Sequence, residues 1–247
     1  MDTEIKNNKD LYESKEVVAK YTSHSTRARS LNNAEKDLID RFDIRNKKIL
    51  VLGSGAGRVP INLILFGNEV LGIDRSEALL KFAQKTFPKS KFSTLDFIQG
   101  DMCDLSSVSD ESFDVVIFPM NSIDYVEGLE MRRKAIAEAG GKLKKGGIFA
   151  LSSHNKLGYI ISPKVPIKSK RFKYLLEDYI FDKEEVVGGG TVFKGNPDFV
   201  INEIEKINNF KFVGFTVDAR NKLDRFLAQK LNVAKYIFPY IFYVFQK

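Results

Sequence analysis

Three glycines at alternate positions, Gly53, Gly55 and Gly57, follow the apolar run "KILVL", and Asp74 stands 21 residues after the first of them. Glycine lets a backbone turn tightly and approach a ligand where a Cβ would clash, and the N–H groups that open a following helix favour negative or polar groups. A carboxylate at the end of the next strand, at this separation, is placed to accept from the two hydroxyls of a ribose, so an unphosphorylated ribose is expected. Together these residues describe a cradle for a nucleotide-like ligand. The same aspartate could instead cap the helix that begins near Ser76.

The spacing is G-x-G-x-G, and Arg58 occupies the position where a dinucleotide fingerprint wants its third glycine, which argues against a nicotinamide cofactor. Further along, "QGDMCD" puts Asp101 and Met102 at the end of a third strand, on the same rim, although those residues also make a good turn. His154, in "ALSSHNK", follows the fifth apolar segment and so reaches the rim as well. An imidazole titrates near working pH and suits the role of proton acceptor, which makes His154 the candidate catalytic residue. A histidine at a strand–loop junction is also a common hydrogen-bonding residue. His24, in the polar stretch "TSHSTRARS", is a second candidate, and Tyr21 beside it could shield the ligand or pack a helix.

These residues need a scaffold that brings strand ends together. Helical spacing of Leu11, Val17, Val18 and Tyr21 predicts one amphipathic helix over "DLYESKEVVAKY", and Asn33 can cap a second, "AEKDLIDRF", with Lys36 at its third position. From Lys48 the pattern alternates: strand "KILVLG", helix "RVPINLILFG", strand "EVLGID", helix "SEALLKFAQKTF" capped by Ser76, strand "FSTLDFIQG", strand "SFDVVIFPM", helix "LEMRRKAIAEAGGKL", strand "GGIFALSS". Nearly continuous apolar strands between amphipathic helices predict a doubly wound α/β fold, whose ligands bind at the carboxyl ends of the parallel strands. Residues 1–46 would then form a helical cap, 47–155 the ligand-binding core, 156–196 an insert, and 197–247 the end of the sheet, all within one domain. In the insert "VVGGGTVF" suggests a hairpin or irregular cover, and Asn196-Pro197 opens a helix, "PDFVINEIEKINN". "FKFVGFTVDA", a short helical piece and the terminal strand "YIFYVFQK" complete the chain.

Composition narrows the setting. One cysteine excludes an internal disulfide, and with two histidines the chain has few soft ligands, so no zinc or other metal site is expected. No apolar stretch approaches the length of a bilayer span and the N-terminus has no apolar signal core, so a cytoplasmic protein without membrane contact is expected. The formal charge of +7 favours anionic partners, but the lysines are scattered, which is how a solvated surface reads. Lys164, Lys168, Lys170, Arg171 and Lys173, with Phe172 and Tyr174 among them, leave open an anionic metabolite, nucleic acid, or a solvated lid face.

On the glycine loop, Asp74, "QGDMCD" and "FPMNSIDY", the chain resembles the class I S-adenosylmethionine-dependent methyltransferases. The resemblance covers Lys47 to Ser153 well and the last two strands more loosely. It implies a mostly parallel seven-stranded sheet with an antiparallel last strand, and S-adenosyl-L-methionine as cofactor. It also implies Gly53, Ser54, Gly55 and Gly57 beside the methionine and ribose, Asp74 on the ribose hydroxyls, Arg75 and Met102 flanking adenine, and Asp101 accepting from the adenine amino group. Pro119, Met120 and Asn121 would then stand beside the sulfonium. The family commonly has an acid two residues before the first glycine, where this chain has Val51. The expected activity is methyl transfer to an oxygen or nitrogen of a small molecule, with the N-terminal helices and the insert setting specificity. A tRNA or rRNA methyltransferase and a non-catalytic binding module are the alternatives.

Overall fold

The computed structural model describes residues 7–27, 30–161, 176–183, 190–219 and 235–247. The runs "KILVL" and "FDVVIF" are apolar towards both faces, as strands covered on either side must be, and they form β1 (Lys48–Leu52) and β4 (Phe113–Phe118). β2 (Glu69–Asp74) and β3 (Leu95–Gln99) extend the sheet on one side. β5 (Leu143–His154), β9 (Tyr240–Gln246) and β8 (Lys211–Val217) extend it on the other, giving seven strands in the order β3-β2-β1-β4-β5-β9-β8. β3 to β5 pair in parallel, and β9 runs antiparallel to both its neighbours. The order reverses between β1 and β4. In such sheets the crevice beyond the strand ends at that reversal is where ligands bind.

Alternate residues of the central strands feed two separate cores. Leu50, Leu52, Val116 and Phe118 pack with α6 (Leu129–Lys142) and α8 (Pro197–Lys206), while Ile49, Val51, Val115 and Ile117 pack with α3 (Asn33–Arg41), α4 (Arg58–Leu63) and α5 (Glu77–Thr86). Val51 is thus fully buried under helices, where an acid would need a partner. α7 (Lys156–Ile161) follows β5, and the insert contains an antiparallel hairpin of β6 (Tyr179–Lys183) and β7 (Thr191–Gly195). No described helix is long and apolar enough to cross a membrane.

Several boundaries differ from the expected ones for identifiable reasons. The N-terminal helix is two, α1 (Asn8–Glu13) and α2 (Lys15–Arg27), because the Ser14 hydroxyl donates to Leu11 O (2.7 Å) and accepts from Val17 N–H, ending one helix and starting the next. α2 absorbs the stretch read as a polar turn up to Arg27, and Thr22 and Ser23 turn their hydroxyls back onto the carbonyls of Ala19 and Lys20. α3 is capped by Asn32 rather than Asn33. That shift brings Glu35, not Lys36, to the third position, where it returns a bond to the Asn32 N–H and closes a capping box. β9 begins at Tyr240, as the terminal strand "YIFYVFQK" predicts, and Pro239 before it has no N–H to give a ladder. The short helical piece expected before it lies outside the described residues, as do Lys164, Lys168, Lys170, Arg171, Phe172, Lys173 and Tyr174.

Arg58, the residue that breaks the longer glycine fingerprint, has a structural partner. Its guanidinium meets both oxygens of Glu35, at 2.6 and 2.9 Å, and so ties the start of α4 to the start of α3. Glu35 is 3% exposed, so its charge depends on this pairing and on the capping box. Replacing Arg58 by Met strands a buried carboxylate, and urea unfolding should show a loss of roughly 3–5 kcal/mol. The double replacement Arg58→Met with Glu35→Gln should recover part of that loss. A single variant as stable as the parent would show that the pair carries no weight.

Candidate functional site

The loop after β1 lies at the strand-order reversal, and its three glycines serve different ends. Gly53 and Ser54 both donate to Ile73 O (2.8 and 3.0 Å), which folds the loop back over the end of β2. At Gly53, with φ +80°, a Cβ would come within 2.3 Å of Ser122 Cβ. At Gly55, with φ +51°, a Cβ would meet only Leu79 at 3.9 Å and would otherwise project into open space. Gly57 precedes α4, and a Cβ there would crowd Phe97 and Phe87. Gly53 and Gly55 therefore face the cavity, whereas Gly57 is needed for packing. Ser54 is buried against β2 and does not line the cavity.

Asp74 ends β2 with its carboxylate held at both oxygens: the Gly55 N–H donates to Oδ2 (2.7 Å) and the Ser76 N–H to Oδ1 (2.9 Å). Burial raises its pKa above the ordinary carboxylate value, with the two N–H groups and the charge of Arg75 pulling the other way. The capping and ligand-facing alternatives for Asp74 are thus not exclusive. Ser76 caps α5 through its own hydroxyl, and Asp74 still lines the cavity. Asp101 similarly makes its turn, accepting from the Cys103 N–H (2.8 Å), while remaining on the cavity wall with Arg75 and Met102.

After β4 the chain turns sharply. Met120 (φ +51°) and Asn121 (φ +57°) are consecutive left-handed residues, a conformation that costs a non-glycine residue roughly 1–3 kcal/mol and persists only where surroundings impose it. Pro119, Met120 and Ser122 line the cavity; Asn121 does not. Its side chain points the other way, accepting from the Ser152 hydroxyl at Oδ1 and placing Nδ2 3.4 Å from His154 Nε2.

His154 is 2% exposed and lies behind Asn121, off the cavity wall. Its Nδ1–H and its backbone N–H both donate to Asp124 Oδ2 (2.8 and 2.6 Å), while Arg132 and the Ser153 hydroxyl donate to Asp124 Oδ1 (both 2.7 Å). A carboxylate acceptor requires the proton on Nδ1. In the neutral ring the Nε2 lone pair then falls to the Asn121 amide, so the geometry gives His154 a positioning place rather than contact with an acceptor. The side chain of His24 lies outside the described residues.

The cavity, of about 440 Å³, is lined on one side by Tyr12 and Tyr21 of the N-terminal helices. Ser76 Oγ donates to Tyr12 O (3.1 Å) and the Glu77 N–H to Glu13, which seats α1 on the start of α5. Asn8, buried, gives Nδ2 to the carbonyls of Tyr125 (2.7 Å) and Thr191 (2.8 Å) and accepts from the Thr191 N–H (3.0 Å). One side chain thus fastens the cap to the hairpin and to the 3-10 turn Ser122–Tyr125. Tyr21 packs on Tyr12 and lines the cavity. Tyr12, Ser122, Tyr125 and Glu127 also line it and have no signal in local spacing; only the tyrosines' proximity to the cap and to "FPMNSIDY" could have suggested them.

Comparison with known proteins agrees with this geometry. A family model described as a methyltransferase domain matches residues 44–229, about three quarters of the chain. The methyltransferase called YqeM from Bacillus subtilis (strain 168) is 32% identical over 108 residues, covering 44% of this chain and 42% of that protein. The glycine/sarcosine N-methyltransferase of Aphanothece halophytica is 31% identical over 145 residues, covering 58% and 53%. The chain spans about half the length of the curated relatives it matches. Among solved structures, an S-adenosylmethionine-dependent methyltransferase from Listeria monocytogenes superposes with a TM-score of 0.62 over 87% of this chain and 98% of that one; at 16% identity the likeness is one of fold. With its seven-stranded sheet, its glycine loop at the strand reversal and the family match across most of its length, the chain belongs to the class I S-adenosylmethionine-dependent methyltransferases.

Proposed function

We propose that the chain transfers the methyl group of S-adenosyl-L-methionine to an oxygen or nitrogen of a small-molecule acceptor, in the cytoplasm. The observation that carries this reading is the Asp74 carboxylate, fixed by the Gly55 and Ser76 N–H groups on the wall of a cavity at the strand reversal. The fit to the cofactor rests on Gly55, where any side chain would project into the space a ligand needs. Asp74 would hold the ribose hydroxyls, Arg75 and Met102 would flank adenine, Asp101 would accept from its amino group, and Pro119 would border the sulfonium end. Ser54, Gly57 and Asn121 would support these contacts from behind the wall. When bound, the cofactor supplies a methyl activated on a sulfonium.

The chain's own task is then alignment and exclusion of water, for which well-oriented groups supply up to about 7–11 kcal/mol. The cap, seated through Tyr12 and Asn8, would close the cavity over the reacting groups. His154 acts in this reading by holding Asn121, and through it the left-handed turn beside the acceptor.

Calorimetry with S-adenosylhomocysteine tests the assignment. Asp74→Ala should weaken binding by at least about 100-fold, the lower end of what two hydrogen bonds to a charged group are worth. Because it also strands the Gly55 and Ser76 N–H groups, thermal unfolding is followed alongside to separate lost binding from lost folding. Unchanged affinity would remove Asp74 from the site and with it the central assignment.

The pH dependence has a definite sign. Burial raises the pKa of Asp74 in the free protein, and hydroxyl donors from a ribose would favour the ionised form and lower it again. Affinity should therefore be greatest at pH above the free-protein value and fall as pH drops through it, by at most about tenfold per pH unit. Asp74→Asn should flatten this dependence; an equal slope in that variant would assign the effect to another group.

A further inference from the structure

The half of the cavity that the expected cofactor contacts leave over is aromatic and acidic. Tyr12 and Tyr21 come from the cap, Tyr125 from the turn after β4, and Glu127 from the loop beyond it. Tyr12 is central. Its ring lies 5.7 Å from that of Tyr21, and 5.4 Å from Tyr125 in an edge-on arrangement at 90°. Glu127 is held in place by the same cap, accepting the Asn8 N–H at Oε1 (2.8 Å). Among the described lining residues Arg75 is the one basic side chain, and its charge acts on the adjacent Asp74 carboxylate.

Each chemistry of acceptor meets this wall differently. A carboxylate or phosphate would face Glu127 and the negative faces of the rings. A hydroxyl must lose its proton as it reacts, yet among the described lining residues there is no histidine or lysine to take it, and the carboxylates there already accept from backbone N–H groups. Burial, reinforced by Tyr21 and Tyr125, pushes the Tyr12 hydroxyl well above its ordinary pKa, so it stays protonated and takes no proton either. An ammonium group, by contrast, is attracted by the carboxylate and by the ring faces together.

Resting on the methyltransferase reading above, we infer that the acceptor is a primary or secondary amine, bound as its ammonium form by Tyr12, Tyr21, Tyr125 and Glu127 and methylated on nitrogen. The ammonium gives one proton to solvent water. The lone pair so exposed forms the new N–C bond, the electron pair of the broken C–S bond stays on sulfur, and the product is again an ammonium. One proton is released per methyl transferred.

The test uses the full chain and begins with S-adenosylhomocysteine binding by calorimetry; absence of binding would sink the cofactor reading itself, separately from the acceptor. With binding established, matched sets of amines, alcohols and carboxylates on common skeletons, benzylamine, benzyl alcohol and benzoate among them, are assayed for methyl transfer. Transfer confined to amines is expected. Glu127→Gln keeps an oxygen for the Asn8 N–H and removes the charge. It should raise the amine KM about tenfold with a smaller change in kcat, and leave S-adenosylhomocysteine affinity within about twofold. Tyr12→Phe should retain amine binding and Tyr12→Leu lose it. Transfer to alcohols or carboxylates, no transfer to any amine, or a Glu127→Gln variant that loses S-adenosylhomocysteine affinity with an unchanged amine KM would each overturn the inference. The last outcome would assign the carboxylate to the cofactor's own ammonium.

Discussion

A single buried carboxylate, that of Asp124, organises the strand ends beside the cavity. It has no exposed surface and accepts from Arg132, the Ser153 hydroxyl, and both the backbone N–H and ring Nδ1–H of His154. An ion taken so far from water costs several kcal/mol unless its lone pairs are filled, so these donors hold one another in place. Arg132 belongs to α6, Ser153 and His154 to the end of β5, and Asp124 itself to the turn after β4. Through that node three elements meet at one geometry, and the left-handed pair Met120–Asn121 is kept where the cavity needs it. Arg132 is in turn stacked over Phe193 at 4.0 Å, which extends the node to the hairpin.

The same logic of partnered charge runs through the rest of the structure and reverses what composition suggests. A chain of formal charge +7 would be expected to draw anions, but its cavity carries Asp74, Asp101 and Glu127 against Arg75. Arg58, a conspicuous cation in the glycine loop, is committed to Glu35 and contributes nothing to the cavity wall. Net charge acts at long range over the whole surface, whereas a ligand in a partly dry cavity feels the few groups within reach.

The cap shows how a covering element is held without a large core of its own. α1 and α2 bury Leu11 and Val17 with support from Tyr12 and Tyr21, and most of the specificity of their seating comes from Asn8 and from bonds to the start of α5. Gly190 allows this closeness, since a Cβ there would come within 2.6 Å of Asn8 Oδ1. Asn8 thus bonds the hairpin and the turn after β4 at once.

What the sequence determined by itself is the part written in local pattern. Continuous apolar strands between amphipathic helices specify the doubly wound sheet, Ser76 and Asn196-Pro197 mark helix starts, and the glycine loop with Asp74 marks the ligand end of the sheet, because each of these follows from residues close together in the chain. Errors of one residue, as between Asn33 and Asn32, arose where neighbouring side chains compete for the same cap and the partner three residues on decides. Only the tertiary structure decided that Gly55 faces the cavity while Gly57 faces Phe97, that His154 turns to Asp124 and Asn121 instead of the cavity, and that Tyr12, Tyr125 and Glu127 share one wall. Those arrangements join segments from 30 residues apart, as at His154 and Asp124, to more than a hundred, as at Tyr12 and Tyr125. Side-chain direction across such distances is set by packing and hydrogen-bond satisfaction, which no local spacing records.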